Sequence, residues 1–419
     1  MPAETRQHYR ESFLKPEQSG RPTILWANKY CLLDTSSGAS MAVRQMLLQL
    51  AEAGYNVQIL GASHFDNPVG TAGLLGRWDA ISRRPRHLVT LPDGPLKHRT
   101  YVTASTDRGD MTTREETDWM RIFRDALNKL KPALVFYYGG RPADWLIPIE
   151  AGAMGIPSAF YVANANYHGD RWCRDVNLLL TDSQATAKLY RDRLGVDVAP
   201  VGAFIDPAKV IAKNHNPRSV LFINPTLRKG AAIVVRLAML LEKRRPDILF
   251  EVVESRGVWS EVLRQVSSAA GDRRETLGNV EVTSNTADMR PVYGRARVIL
   301  TPSLAAESGP RVLVEAMLNG IPAIGTDRGG IPEMMGAGGI VLKFHPDIYQ
   351  PPYNRLPPDE VLDALARQIE QLYDDERSYG ILCQRAREVA SHSHGLEANT
   401  RRLIEALTPL LAPVSPGAG

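Results

Sequence analysis

The chain of 419 residues is poor in cysteine: Cys31, Cys173 and Cys383 are the only three, far apart in sequence. An odd, scattered set forms neither a disulfide framework nor a Cys-x-x-Cys metal knuckle, and a reducing cytoplasm is the compartment it fits. Excess charge of one sign is missing as well. Fifty Lys and Arg stand against 46 Asp and Glu, a net +4, too small a surplus at this length to mark nucleic acid as a partner. Apolar runs are broken well short of a bilayer-spanning length, so no transmembrane segment is expected. Residues 1–21 are polar, carry Glu4, Glu11 and Glu17 and have no apolar core, which argues against a secretory signal and for a flexible tail. There is no Gly-x-Gly-x-x-Gly, no Walker lysine motif and no Asp-x-Asp, and no heptad run or short repeat.

What the sequence does contain is a repeated alternation of short apolar runs with amphipathic segments, the pattern of a mostly parallel sheet covered by helices. Strands are expected at 23–27, 56–61, 133–138, 158–162 and 178–181, with helices at 41–53, 114–130 and 143–154. A second series follows, with strands at 220–223, 248–253, 280–283, 298–301 and 321–324 and helices at 231–243, 258–269 and 312–318. The Pro- and Gly-bearing stretch 200–217 between the two series reads as a linker, and 346–358 as a Pro-rich loop. The expected organisation is therefore a tail (1–21), an α/β domain (22–205), a second α/β domain (206–390) and a C-terminal helix with its tail (391–419). Two such doubly wound domains, facing each other across a cleft, bind ligands at the carboxyl ends of their strands.

The most informative stretch runs from Val298 to Leu342. A strand ends at Thr301, a loop reaches Gly309, and Pro310 suits the first position of a helix because its φ is already fixed there. The free N–H groups of such a start, with the helix dipole, favour an anion such as a pyrophosphate. Glu307 precedes this helix and Glu315 lies within it. At a rise of about 1.5 Å per residue, the two carboxylates are spaced for hydroxyl-bearing rings on either side of a diphosphate.

Glu307 and Glu315, followed by GIPAIGT and GGIPEMM, resemble the signature of the retaining GT-B glycosyltransferases of family four, the glycosyl transferases group 1. The resemblance covers roughly residues 22–410 and is strongest in the second half. It implies a GT-B fold of two Rossmann-like domains, with the donor nucleotide held mainly by the second and the acceptor by the first, and a last helix (396–411) that crosses back to the first. It also implies that Glu307 contacts the donor sugar, that Glu315 binds the nucleotide ribose, and that the backbone of Ser308, Gly309, Pro310 and Arg311 faces sugar and phosphate. The family's usual aromatic-glycine pair is Gly309-Pro310 here. In LFINPTLRKG, Lys229 matches the family's phosphate-clamping lysine, and Asn224-Pro225 replace the usual Gly-Arg. Arg228 or Arg256 is the candidate for the missing guanidinium.

In the first half, Asp34 to Ser40 resemble the family's glycine-bearing loop, which places Ser37 and Gly38 near the donor phosphates; a Ser-rich helix cap accounts for Ser37 or Ser40 equally well. In PSAFYVANANY, Ala163 stands where relatives often carry a histidine, leaving Asn164 and His168 as weak acceptor-side candidates. A lone His64 and the pair His392 and His394 read as structural or solvated, with no third metal ligand in view. The clusters Arg83, Arg84, Arg86 and Lys243, Arg244, Arg245 read as solvated surface, the first being also suited to a peripheral contact with an anionic or membrane acceptor.

The expected activity is retaining transfer of a sugar from a nucleotide diphosphate donor, UDP by resemblance, to an acceptor that is a small molecule, a glycan or a lipid-linked hydroxyl. No cofactor and no metal are expected, the missing Asp-x-Asp speaking against a metal-dependent GT-A enzyme. Two other readings stand beside it: a catalytically weak nucleotide-sugar-binding protein, and a GT-B epimerase or phosphorylase. These motifs specify neither the sugar, the acceptor nor an oligomeric state.

Overall fold

The computed structural model describes residues 22–74 and 76–411, so the tail expected at 1–21 lies outside the described residues. The chain divides into two compact units. Of the described residues, the first contains those up to Asp182, Ala187–Phe204 and 399–411, and the second contains Ser183–Thr186 and Ile205–Ala398.

In the first unit the strands are β1 (Thr23–Ala27), β2 (Asn56–Ala62), β3 (Leu88–Asp93), β4 (Leu96–Tyr101), β5 (Leu134–Tyr137), β6 (Ser158–Tyr161), β7 (Leu178–Thr181) and β8 (Ala199–Pro200). They form one sheet in the order β3-β4-β2-β1-β5-β6-β7-β8. Ile24 of β1 pairs with Val57 on one side and Leu134 on the other, both parallel. The hairpin β3–β4 is an addition to the sequence reading and the antiparallel exception in this sheet. Its signal was present: Pro92-Asp93-Gly94 between two apolar runs is a turn sequence, and Gly94 takes the left-handed φ of 57° that such turns require.

Two helices of this unit show how local sequence sets the ends. Helix α1 (Gly38–Glu52) starts three residues earlier than periodicity suggested, because the Ser37 hydroxyl accepts from the Ser40 N–H and caps it. Helix α2 (Thr113–Leu130) begins in a reciprocal capping box between Thr112 and Glu115. Its inward face buries Trp119, Phe123, Ala126 and Leu127 against β1, β2 and β5 residues, each large side chain contributing about 1.5–3 kcal/mol. The helix expected over 143–154 is broken: Pro142–Asp144 form a 3₁₀ turn and the helix proper is Leu146–Gly152.

The second unit holds β9 (Ser219–Ile223), β10 (Leu249–Val253), β11 (Val280–Thr283), β12 (Ala296–Thr301), β13 (Ala323–Thr326) and β14 (Gly339–Leu342). All pairs are parallel, in the order β11-β10-β9-β12-β13-β14. The chain thus moves outward on one side from β9, then returns to place β12 beside β9, and ligands of such sheets bind at that reversal. Helix α3 (Ala231–Arg244) packs Ile233, Val234, Leu237 and Leu241 on Val220, Phe222, Phe250 and Val298. Arg244 and Arg245 lie at the surface, as read from sequence, and form ion pairs there: Arg244 with Asp363 and Glu370, and Arg245 with Asp247 and Asp374. Helix α4 (Arg311–Leu318) starts after Pro310, which is the N-cap rather than the first helical residue because its ψ of 101° is extended. Helix α5 (Asp359–Asp374) supplies Asp363 and Glu370 to Arg244 and Asp374 to Arg245. The last helix, α6 (Leu396–Leu411), contributes Asn399 to the first unit, where its Nδ2 donates to the Ala203 carbonyl at 2.7 Å. His394 is buried with Nε2 3.1 Å from the Met334 carbonyl, a structural contact. Among the described residues, no helix is long and apolar enough to cross a membrane.

Candidate functional site

The turn after β9 and the loop after β12 lie side by side because those strands are neighbours at the reversal of strand order. Beyond β9, Asn224 adopts φ 65°, a left-handed conformation that asparagine tolerates better than most residues other than glycine. That explains how Asn224 can stand where the family pattern has glycine. Its Oδ1 accepts from the Arg256 main-chain N–H at 3.2 Å, tying the turn to the loop after β10. Leu227–Lys229 form a 3₁₀ turn, and Gly230 follows at φ 82° with the Pro302 carbonyl only 2.1 Å from where a Cβ would lie. Glycine is required there on both counts. The Arg228 carbonyl accepts from Leu304 and Ala305 N–H, joining the two loops directly, while its side chain is exposed.

Glu307 is held from two sides. Its carbonyl accepts from the Gly330 N–H at 2.8 Å, and Gly329, at φ 59°, approaches so closely that a Cβ would sit 2.1 Å from the same oxygen. Its carboxylate is 2.7 Å from Lys229 Nζ, with both side chains partly open to solvent. The ammonium and the carboxylate that the sequence motifs single out therefore form one ion pair at the carboxyl end of the sheet. Ser308 is buried, and Pro310 removes one N–H from the loop that leads into α4.

Glu315 is buried one turn into α4. Tyr293, from the short helix before β12, donates its phenol to Oε2 at 2.7 Å, and Arg311 Nη2 lies 3.1 Å from Oε1. Burial and then the Glu315 charge push the Tyr293 phenol well above its ordinary pKa, so it stays a donor. Asn319 Nδ2 donates to the Glu315 carbonyl at 2.8 Å and fixes the backbone. Tyr293 was not anticipated from sequence, where it reads as one more apolar residue before a strand. Gly329 and Gly330 were visible in GGIPEMM, but their grip on Glu307 was not.

Within the second unit the contacts join Lys229 to Glu307, Asn224 to the Arg256 backbone and Arg311 to Glu315, with Ser308, Gly309 and Pro310 on the loop between Glu307 and α4 and Arg228 on the turn beside it. Ser37, Gly38, Asn164 and His168 belong to the first unit. There, Ser37 is spent on capping α1, and Asn164 Oδ1 accepts from the Asn166 N–H while its carbonyl accepts from the Tyr190 hydroxyl. His168 is exposed. His64 is fully buried, and burial with the nearby Arg108 charge pushes its imidazole down to about 4.

Residues 217–375 match the model of a family described as Glycosyl transferases group 1. A phosphatidyl-myo-inositol mannosyltransferase of Mycolicibacterium smegmatis (strain ATCC 700084 / mc(2)155) is 32% identical over 146 residues, covering 34% of this chain and 36% of that protein. The chain therefore matches about a third of that relative's length. Among solved structures, a glycosyltransferase from Rickettsia africae superposes with a TM-score of 0.68 at 13% identity, over 94% of this chain and 100% of that one. Sucrose-phosphate synthase from Thermosynechococcus elongatus gives 0.66 at 15% identity, over 93% and 99%. Anabaena HepE in complex with UDP-glucose gives 0.65 at 14% identity, over 93% and 100%. At these identities the likeness shows the fold, which is GT-B.

Proposed function

We propose that the chain, whose residues 217–375 match the model of the Glycosyl transferases group 1 family, transfers a sugar, with retained anomeric configuration, from a UDP-linked donor to an acceptor hydroxyl. The observation that carries this reading is the Lys229–Glu307 pair, 2.7 Å apart at the reversal point of a Rossmann-ordered sheet. A nucleotide sugar has a good leaving group once its diphosphate charge is countered, so the main protein task is electrostatic. Lys229 and the N-terminus of α4 are the groups to meet that charge, with Arg228 beside them. Glu307 orients sugar hydroxyls, Glu315 takes ribose hydroxyls, and the acceptor attacks on the face the diphosphate leaves, which receives the proton. These carboxylates are not the acid and nucleophile of a glycoside hydrolase. The missing Asp-x-Asp supports a reaction without a bound metal, and three unpaired cysteines agree with a cytoplasmic site.

A thermal-shift screen against UDP, GDP, ADP, TDP and their sugars, with and without magnesium, tests it, because a ligand of the native state raises Tm by mass action. One nucleotide should raise Tm independently of magnesium, and its sugar conjugate should release the nucleoside diphosphate in the presence of an acceptor. No shift with any of them would overturn the reading. A second reading, donor binding without turnover, draws on Ala163 and on the N–H that Pro310 lacks; a shift with no diphosphate release under any acceptor would favour it.

A further inference from the structure

Glu315 carries a donor on each carboxylate oxygen: the Tyr293 hydroxyl on Oε2 and the Arg311 guanidinium on Oε1. A carboxylate accepts about four hydrogen bonds, so one acceptor direction stays open on each oxygen, and the open pair matches two adjacent hydroxyls. We propose that the Arg311 side chain is a positioning residue that sets the Glu315 carboxylate to read a ribose cis-diol, making this chain selective for ribonucleotide over 2′-deoxyribonucleotide donors. This rests on the donor-site reading above.

The placement of Arg311 is hard to account for by helix stability. It is the first residue of α4, where a cation meets the positive end of the helix dipole, and its partner lies four residues later in the less favourable order of basic before acidic. The surrounding turn, Val312 to Val314, is otherwise apolar. Helix stability alone therefore does not account for a cation here, and the contact with Glu315 ties it to the motif carboxylate. The pair is largely shielded, with side-chain exposures of 17% and 10%, so its geometry is not averaged out by solvent.

The test is calorimetric binding of UDP, GDP and ADP and of their 2′-deoxy counterparts to the full chain, its Arg311→Leu and Arg311→Lys forms, and Glu315→Gln. The wild type should prefer its best ribonucleotide over the deoxy form by at least about tenfold. Arg311→Leu should lose most of that preference with Tm retained, and Arg311→Lys should restore part of it. In a Glu315→Gln background, Arg311→Leu should have no further effect, which a merely structural role would not produce. An Arg311→Leu protein that keeps the full ribonucleotide preference would overturn the inference while leaving the donor site standing. Absence of any nucleotide binding by the wild type would overturn both. If Arg311→Leu is unfolded, Arg311→Lys together with Tyr293→Phe carries the same comparison, since Tyr293→Phe removes the other donor; an undiminished preference in both would count against the proposal.

Discussion

Lys229 Nζ and Glu307 Oε1 lie 2.7 Å apart although they come from separate strand-loop-helix segments, and the pair is neither fully buried nor fully exposed. The cation that the proposed donor site offers to a diphosphate is therefore paired with a carboxylate. Such a half-exposed pair adds roughly 0.2–1 kcal/mol to stability, so it serves the site more than the fold.

Removing the carboxylate should separate its two effects. Glu307→Gln frees Lys229, and free UDP should bind about two- to fivefold more tightly, while diphosphate release from the sugar donor should fall by about a hundredfold or more. Lys229→Ala should weaken UDP binding by about tenfold or more, with Tm little changed in either variant. Unaltered kinetics in both would remove these residues from the site.

Gly329 bears on Glu307 through backbone contact alone. Gly329→Ala should cost more than about 2 kcal/mol and reduce turnover along with Glu307→Ala, since its Cβ would collide with the Glu307 carbonyl at 2.1 Å. Gly94→Ala is the control. It has a similar positive φ of 57° but open space, so it should cost only about 1 kcal/mol. Equal losses in urea denaturation would mean that the contact with Glu307 is unimportant.

In the first unit, Lys29 is fully buried with Nζ 3.2 Å from both Glu116 and Asp144 and with its ammonium over the Trp119 ring. Arg108 lies 2.7 Å from Glu116 and 3.5 Å from Asp144. Lys29→Met should destabilise by about 3–5 kcal/mol, because it leaves buried carboxylate charge incompletely compensated. A loss under about 1 kcal/mol by denaturation would contradict this account of the network.

His64 gives a pH dependence of known sign. The unfolded imidazole takes up a proton near 6.5, the folded one only near 4. Below pH 6.5 the unfolded state therefore binds more protons, and stability should fall by roughly 3 kcal/mol as pH drops toward 4. His64→Leu should show a correspondingly flatter profile over that range. An NMR titration that found His64 protonating near 6.5 would refute it.

Much of the α/β architecture was legible in sequence, because its signals are local. The apolar runs at Thr23–Ala27, Leu178–Thr181 and Val280–Thr283 are strands over those same residues. Element ends were less legible: the start of α1 was set by the Ser37 cap and the start of α4 by the extended ψ of Pro310. The β3–β4 hairpin went unread although Asp93-Gly94 announced it, because its strand Leu96–Tyr101 carries Lys97, His98 and Arg99 in place of apolar alternation. Those three are accommodated differently, Lys97 exposed and His98 and Arg99 buried, with His98 beside Asp93 and Arg99 donating to Gln58.

By itself the sequence determined the alternation of strands and helices, the glycine positions of the tight turns and the one-helix spacing of Arg311 and Glu315, since each depends on residues within a few positions of one another. Only the tertiary structure decided that Lys229 pairs with Glu307, that Tyr293 stands behind Glu315 and that Gly329 grips the Glu307 backbone. Those relationships follow from β12 lying beside β9 and β13 beside β12, a strand order that is settled by the burial of whole faces and not by any short stretch of chain.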